Sequence, residues 1–437
     1  MKQLLYFIEC LFIFYTSHAF ALNVEVASSF NPVGAGGRGV GMGSYIAIGD
    51  DTPSPLWNPA APIQMEEPFE VSWGVSIVTR KEKIKMAKNP DGNGNHRISN
   101  RHFDFLGMVS TFEKFEKNMS FSLAYQHLYD FNRNWTFPYN ETAPIQRHEQ
   151  WSYEQSGSLS ALGLTYSIEL IRACLSFGLT FNIWDDSISP NQWTQYYHMS
   201  GDGQYGSNFY TVTENKREEY TFDGYNFNLG LLWIINHQFS VGAILKTPFN
   251  ADIKHVIQST IIHKEDSNVF TIPTHKTYNE QLKMPLSYGI GMVYKYSDLF
   301  YLSADIYKTH WNRCLYTDAF GIQTSIISNY PIEKSNVKPT YQVRMGGEYL
   351  LINKNNNTAI PLRAGIFYDP APAEKNPDDF YGFSLGTGYI KNNIAALELA
   401  YVYRFGNNAA STTLESVGFS EDVQEHLLYI SLIKYFY

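Results

Sequence analysis

The sequence predicts an all-β protein, a fourteen-stranded antiparallel transmembrane β-barrel with an N-terminal hatch, or plug, in its lumen. Three observations support this prediction. Aromatic residues make up 16% of the 437 positions, although only 17% of the residues are charged. Apolar and polar residues alternate with a period of two in one segment after another, which is typical of half-buried strands. The connections between these segments alternate between long and short, as they do in outer-membrane barrels.

The composition also disfavours other classes of protein. A spanning helix needs about 20 apolar residues in a row, and no segment after the N-terminus provides them. Disorder is disfavoured because aromatic residues are plentiful and charge is low. The net charge of −9 and the lack of a basic stripe argue against nucleic acid as a partner.

Residues 1–21 are expected to be a secretory signal peptide. Lys2 gives a basic start, residues 4–15 form an apolar run, and Ala19 and Ala21 form an A-x-A cleavage site. The mature chain would therefore begin at residue 22 and be exported. Together with the barrel pattern, this predicts a multi-pass protein of the bacterial cell outer membrane.

Residues 22–67 are predicted to form the hatch segment rather than strands. Glycine and proline recur from Gly34 to Pro62, and this composition makes poor strands. About eight strands already leave an interior just wide enough for side chains, so fourteen enclose a larger space. A compact N-terminal segment inside that space would act as a plug, and the transmembrane barrel would comprise residues 68–437.

Period-two alternation continues through the predicted barrel. In its first strand, Val71 and Trp73 lie on one face, opposite Glu70 and Ser72. Apolar-out and polar-in is the arrangement that a barrel in lipid requires. The pattern gives fourteen strands, at residues 68–79, 102–113, 118–131, 155–168, 172–185, 219–235, 238–264, 282–296, 299–311, 339–351, 359–369, 380–389, 394–405 and 427–437.

The connections indicate the orientation of the barrel. Long loops are expected outside the cell and short turns at the periplasmic side, where both ends of the barrel would also lie. The segment 238–264 is long for one strand, and Pro248 inside it is expected to mark either a bend or an edge of the membrane zone. The predicted long loops are residues 80–101, 132–154, 186–218, 265–281, 312–338, 370–379 and 406–426.

Five motifs follow one another along the chain. The first combines a glycine-rich run at 36–43 with the box Trp57-Asn58-Pro59-Ala60, and the others lie at 284–291, 303–311, 344–349 and 363–372. Together they resemble the FadL/TodX family of outer-membrane transporters for long-chain fatty acids and aromatic hydrocarbons. The resemblance spans essentially the whole mature chain. It implies passive uptake of hydrophobic molecules, above all long-chain fatty acids, through a hatch-gated barrel.

In this family the ligand first meets an apolar groove among the extracellular loops and then moves to a pocket above the hatch. It leaves sideways, through an opening associated with a kink in the third strand. The corresponding segment here, 118–131, contains neither glycine nor proline, so the kink is made without them or the exit lies elsewhere. The alternative for the aromatic loop residues is an extended girdle or loop packing. The groove candidates are Trp193, Tyr196, Tyr197, Phe209, Tyr210 and Phe270.

Three cations are candidates for binding a ligand carboxylate. Strand parity places Lys246, Arg344 and Arg363 on the lumen side of the wall. A buried carboxylate needs a cationic partner, and arginine can bind it with two parallel hydrogen bonds. The alternative for each is a structural network of ion pairs that holds the hatch to the wall.

Four residues of the hatch segment are further candidates. Arg38 lies within the glycine run, and its alternative is an ion pair with a carboxylate of the wall. Asn58, Pro59 and Ala60 are expected to be structural, because Pro59 fixes φ and the Asn58 side chain can satisfy nearby backbone groups.

A second hypothesis belongs to another class of function. The hatch box is also similar to that of PorV-like barrels, which dock or shuttle secreted proteins. The sequence shows no coherent catalytic constellation, so we predict no enzyme, no cofactor and no metal. The expected partners are a hydrophobic small molecule, outer-membrane lipids and the barrel-insertion machinery, whose recognition signal the aromatic ending Tyr435-Phe436-Tyr437 resembles.

Overall fold

The computed structural model describes residues 34–49, 51–65, 67–142, 146–391, 394–409 and 417–436. The predicted signal peptide, residues 22–33 of the predicted hatch segment and Tyr437 lie outside these residues, so the hatch segment is described below from residue 34 onward. The strands are β1 (Phe69–Met86), β2 (Gly94–Lys114), β3 (Lys117–Asp130), β4 (Arg133–Glu141), β5 (Gln146–Ile171), β6 (Leu175–Trp184), β7 (Asn191–Tyr205), β8 (Asn208–Ile234), β9 (Phe239–Lys246), β10 (Phe249–Glu265), β11 (Asn268–Met284), β12 (Ser287–Ser297), β13 (Phe300–Thr309), β14 (Leu315–Thr317), β15 (Gln323–Ser325), β16 (Thr340–Asn353), β17 (Thr358–Tyr368), β18 (Phe380–Lys391), β19 (Ala395–Ala409) and β20 (Phe419–Phe436).

Helices are few and short in the described chain. Two helices, Gly37–Met42 and Ser54–Trp57, belong to the hatch segment. Single 3₁₀ turns occupy Ala61–Gln64, Pro90–Gly92 and Trp311–Arg313. Within the described residues, no helix has the length and apolar character needed to span a bilayer.

Fourteen of the strands form a closed antiparallel barrel, which confirms the predicted fourteen-stranded barrel. The first and last strands pair along their whole length, from Phe69 opposite Phe436 to Met86 opposite Phe419. The strands β9 and β12 pair across a β10–β11 excursion, and β13 and β16 pair across β14–β15. The barrel strands, in order, are β1, β2, β3, β5, β6, β8, β9, β12, β13, β16, β17, β18, β19 and β20.

The barrel wall is apolar outside and polar or small inside. Along β8, Tyr225, Phe227 and Trp233 are exposed, whereas Asn226 and Asn228 between them are buried. The exposed apolar band on β8 ends at Tyr225, and the residues beyond it toward the extracellular end are outside the lipid. The segment 238–264 is not one strand, because β9 ends and β10 begins on either side of Pro248.

The prediction that residues 132–154, 186–218 and 265–281 form loops is wrong. These segments form β4, β7, β11 and the outer parts of β5, β8 and β10, which pair in the order β4–β5–β7–β8–β10–β11. We call this extension the outer sheet. Above the bilayer the outer face of a strand meets water, so the apolar-out signature that identified the membrane strands is absent there.

Candidate functional site

The hatch segment lies against the inner wall where the wall residues are glycine. A Cβ at Gly178 would collide with the Pro59 carbonyl, and one at Gly346 would collide with the Met42 carbonyl. Any larger residue would push the hatch backbone away from the wall. The wall glycines in such contact with hatch residues include Gly178 on β6, Gly230 on β8, Gly242 on β9, Gly346 on β16 and Gly365 on β17.

Wall carboxylates bind backbone groups of the hatch segment. Asp305 on β13 accepts hydrogen bonds from the backbone N–H groups of Tyr45 (2.7 Å) and Ile46 (3.2 Å). On β1, Glu70 accepts hydrogen bonds from the N–H (3.1 Å) and hydroxyl (2.9 Å) of Thr52. These bonds satisfy buried polar groups that a segment with so little regular structure leaves open.

The box Asn58-Pro59-Ala60 is fixed in the same way. The Asn58 side-chain amide donates to the carbonyls of Ile46 and Leu231, both at 2.9 Å, and its oxygen accepts from the Ala60 N–H at 3.0 Å. The Pro59 carbonyl accepts a 2.6 Å hydrogen bond from the Ser167 hydroxyl. These contacts support the structural role expected for the box.

Arg38 and Arg363 belong to one buried ion-pair network. Arg38 lies 2.8 Å from Glu348, and Arg363 lies 2.6 Å from Glu348 and 2.9 Å from Glu398. Glu398 also accepts a 2.9 Å hydrogen bond from the Arg38 N–H. The network joins the hatch segment to β16, β17 and β19, which supports the structural alternative for both arginines.

Arg344 is also next to the hatch segment. Its guanidinium donates to the Gly43 carbonyl at 3.4 Å and lies 3.8 Å from the Asp369 carboxylate. Asp369 is shared with Arg404, at 3.2 Å. Like Arg363, Arg344 therefore contacts both a carboxylate of the wall and the hatch segment.

Lys246, one of the three candidate wall cations, lines a cavity. The cavity measures about 70 Å³, and Lys246 is the one charged residue among the described residues around it. The Lys246 Nζ lies 5.7 Å from the centre of the Tyr307 ring. The lining residues are Gln126, Leu128, Tyr129, Asn182, Trp184, Asn226, Asn228, Lys246, Thr247, Phe249, Met284, Pro285, Ser287, Tyr307 and Thr309.

We call this cavity the lumen pocket, and the strand order shows that it lies directly above the hatch segment. On β8, Asn226 and Asn228 line the pocket, and Gly230, two residues closer to the periplasm, contacts the hatch. On β6, Asn182 lines the pocket and Gly178 contacts the hatch. The same order on two strands means that the hatch forms the periplasmic floor of the pocket.

An apolar cluster lies on the extracellular side of the pocket. Trp184 and Met284 belong both to the pocket lining and to this cluster. Further out, Phe222 and Trp193 continue it into the outer sheet, and Trp193 stacks on Tyr220 with ring centres 4.8 Å apart. Packed apolar side chains are therefore continuous from the outer sheet to the pocket.

The predicted groove residues divide between the two faces of the outer sheet. Trp193 and Tyr210 are buried, and Tyr197 packs beside Trp151 on the same inner side. The exposed ones are Tyr196, Phe209 and Phe270, at 43%, 65% and 38%. The structure thus does not bring the six into one groove, since alternate residues of a strand point to opposite faces.

The wall beside the pocket has a break in its hydrogen-bond ladder. The pairing of β2 with β3 ends at Phe105 opposite Gln126, while both strands continue beyond it. Each strand also carries a register shift here, at Asp104 in β2 and Leu128 in β3. Gln126 and Leu128 line the pocket, so the pocket adjoins the break.

Two histidines bridge the break. His102 of β2 stacks on His127 of β3 with ring centres 4.6 Å apart. Asp130 lies 3.3 Å from His102, and Asp104 lies 3.4 Å from His127. Side-chain contacts thus replace backbone pairing at this point, and β3 departs from a regular strand without a glycine or proline.

Sequence reasoning missed most of the pocket. On β8, Asn226 and Asn228 precede the lumen-facing Gly230 by four and two residues, and on β6, which runs in the opposite direction, Asn182 follows Gly178 by four residues. That spacing, a polar layer above a glycine layer, is a signal that could have located the pocket. Tyr129 and Tyr307 carried no comparable signal.

The chain matches known proteins over nearly its whole length. Residues 16–427 match the family described as outer membrane protein transport protein (OMPP1/FadL/TodX). The crystal structure of a Pseudomonas aeruginosa FadL homologue is similar, with a TM-score of 0.66, 14% identity and coverage of 94% of this chain and 100% of that chain. No curated protein sequence matches this chain.

Two further solved structures share the fold. The Pseudomonas putida toluene transporter TodX has a TM-score of 0.55 at 12% identity, over 94% of this chain and 100% of that chain. The CymD monoaromatic hydrocarbon channel has a TM-score of 0.55 at 16% identity, over 94% of this chain and 99% of that chain.

Proposed function

Because the chain belongs to the OMPP1/FadL/TodX family of outer-membrane transport proteins, we propose that it takes up long-chain fatty acids passively. Hydrophobic molecules in general are the cargo of this family, and the carboxylate is the specific part of the proposal. The ligand would enter through the apolar cluster, stop in the lumen pocket and leave through the wall. Net flux would require its removal on the periplasmic side, since the barrel itself can only equilibrate the ligand.

The position of Lys246 carries this proposal. Its ammonium lines the pocket between the apolar cluster above and the hatch segment below. A fatty acid has the matching polarity, because its carboxylate can bind the ammonium while its tail lies against Trp184 and Phe249. Hydrogen bonds to charged groups contribute about 1.5–3 kcal/mol, enough to favour a carboxylate over an uncharged ligand by tenfold or more.

The size of the pocket implies that side chains move on binding. At about 70 Å³ the cavity is smaller than the roughly 150 Å³ apolar cavity that accommodates benzene. Leu128 and Tyr129 lie at the ladder break between β2 and β3, where fewer backbone hydrogen bonds restrain the wall. We propose that the ligand widens the pocket at this side and leaves there.

The test compares two ligands on one substitution. We expect Lys246→Met to weaken palmitate binding at least tenfold and hexadecanol or toluene binding less than threefold, measured by calorimetry on the detergent-solubilised protein. Lys308→Met, an outward-facing lysine on β13, is the matched control and should change neither. Equal losses for acid and alcohol would contradict the carboxylate assignment.

Mass spectrometry of the purified protein distinguishes the proposal from the docking alternative. Transport predicts a bound fatty acid in near-stoichiometric amount after purification in mild detergent. A co-purifying secreted polypeptide with no bound lipid would instead favour a PorV-like docking barrel.

A further inference from the structure

Four basic side chains form a column on the outer surface of β1 and β2. The cross-strand pairs, from the membrane outward, are Ile77 with Arg101, Thr79 with Ser99, Lys81 with Arg97, and Lys83 with Asn95. All four cations are exposed. The hydroxyls of Thr79 and Ser99 are 3.2 Å apart and lie between Arg101 and the Lys81–Arg97 pair. We call Lys81, Lys83, Arg97 and Arg101 the basic column.

The column is electrostatically unbalanced. In the described part of the chain, Lys81, Lys83, Arg97 and Arg101 form no ion pair. The acidic residue opposite Lys83 on β20 is Asp422, whose carboxylate is bound at 2.7 Å by Lys85. Lys81 and Arg97 are directly opposite each other, and like charges in that position destabilise a sheet. An anion between them would remove this repulsion.

On the inward face of β1, by contrast, a basic side chain is paired with carboxylates. There Arg80 is bound by Glu82 and lies 3.2 Å from Glu421 and 3.5 Å from Glu425. Arg80 on the inward face is thus matched by carboxylates of the chain, whereas the four cations of the basic column form no ion pair with any described residue. This difference indicates that the partner of the basic column comes from outside the protein.

The column begins where the lipid-facing band ends. Ile77 and Phe103 are exposed apolar residues at 39% and 48%, and Trp73 and Leu106 lie below them. Two residues along a tilted strand rise by about 5 Å across the membrane. Arg101 therefore lies at the edge of the hydrocarbon, and Lys81 and Arg97 lie about 10 Å further out.

The distance that the basic column extends above the hydrocarbon favours one class of outer-leaflet lipid over another. The polar zone of a phospholipid bilayer is about 5–7 Å thick on each side. A column that continues to about 10 Å passes beyond a phospholipid head group, whereas phosphates borne on a sugar head group reach both levels. The hydroxyls of Thr79 and Ser99 supply hydrogen-bond donors between Arg101 and the Lys81–Arg97 pair.

We propose that the basic column binds the phosphates of an outer-leaflet glycolipid of the lipopolysaccharide type, with its acyl chains along Trp73, Ile77, Phe103 and Leu106. This site lies on the opposite face of the wall from the lumen pocket. It is independent of the transported ligand.

The experiment measures lipid A binding to the detergent-solubilised protein by native mass spectrometry. The variant K81Q/K83Q/R97Q/R101Q should bind diphosphorylated lipid A about tenfold or more weakly than the wild type. The control K254Q/K264Q/K276Q/K283Q removes four exposed lysines from the outer sheet, and hence the same charge, and should bind as the wild type does. Dephosphorylated lipid A should bind wild type and variant equally weakly.

A thermal measurement gives a second, independent readout. In detergent without lipid, K81Q/R97Q should be as stable as the wild type or more so, because the opposed charges are gone. Lipid A should raise the Tm of the wild type and not that of the variant. The proposal would be overturned if the control variant lost lipid A binding as much as the basic-column variant did. It would also be overturned if the wild type bound phosphatidylglycerol as tightly as lipid A and the basic-column variant lost both equally.

Discussion

At the scale of single residues, the position relative to the hatch segment decides what a lumen cation does. Arg363 and Arg344 have the chemistry to bind a carboxylate, but carboxylates of the wall already surround them. Lys246 lies higher in the barrel and lines the pocket instead. Strand parity alone could not separate the three, because all of them point into the lumen.

Arg363→Met tests this distinction. The substitution leaves Glu348 and Glu398 buried with one cation fewer, and breaking a buried pair costs about 3–5 kcal/mol. We expect a lower Tm and equal, small losses of palmitate and hexadecanol binding. In a double-mutant cycle, adding Glu398→Gln should recover part of the stability. A selective loss of palmitate binding with an unchanged Tm would instead make Arg363 a ligand partner.

At the scale of elements, the outer sheet is held by a charged cluster as well as by backbone pairing. His255 on β10 lies 3.3 Å from Glu218 on β8 and 3.1 Å from Glu280 on β11. Its ring stacks on Tyr220 with centres 4.1 Å apart, and Lys216 lies 2.9 Å from Glu218. The cluster ties three strands together above the lipid band.

The cluster makes the stability of the outer sheet depend on pH. Burial lowers the pKa of His255, but the hydrogen bonds and charges of Glu218 and Glu280 outweigh it and raise the pKa overall. A raised pKa in the folded state stabilises the sheet below the ordinary histidine value of about 6.5, and this contribution is lost as pH rises through the raised value.

We therefore expect the midpoint temperature of the thermal transition of the outer sheet to decrease as the pH is raised from 6 to 9. The transition can be followed by tryptophan fluorescence. His255→Gln should flatten this dependence, since the amide does not titrate. His275→Gln, an exposed histidine on β11, should leave the profile as it is in the wild type. A wild-type transition that does not change over this range would contradict the assignment.

At the scale of the whole molecule, the proposed function rests on layers stacked along the barrel axis. The apolar cluster, the lumen pocket and the hatch segment follow one another on β6 and β8, and the ladder break opens beside the middle layer. The pocket thus has the hatch segment below it and the ladder break beside it. This geometry supports the proposed exit between β2 and β3.

Cross-linking tests that route. With Cys174 and Cys314 replaced by serine, the variant H102C/H127C should lose palmitate uptake into proteoliposomes by tenfold or more when joined by a short cleavable thiol cross-linker. Cleavage should restore uptake.

The matched control is a pair lower on the same two strands. Met108 and Leu123 are directly opposite within the hydrogen-bonded ladder, so joining M108C to L123C should leave uptake unchanged. Undiminished uptake in the cross-linked H102C/H127C protein would place the exit elsewhere.

The sequence by itself determined the barrel, because lipid forces a period-two apolar face on every strand that crosses it. Alternation along strands such as 69–77 gave the strand count, and Pro248 marked the point between β9 and β10. The composition of residues 22–67 marked them as different from the wall. These are local properties that a single strand or segment carries within itself.

Only the tertiary structure decided what those elements do together. The outer sheet was hidden because water, unlike lipid, imposes no apolar outer face on its strands. The lumen pocket, the ladder break at Gln126 and the basic column each combine residues of two or more strands. Register across strands is fixed by the closed barrel as a whole, so juxtapositions of this kind cannot be obtained from alternation within one strand.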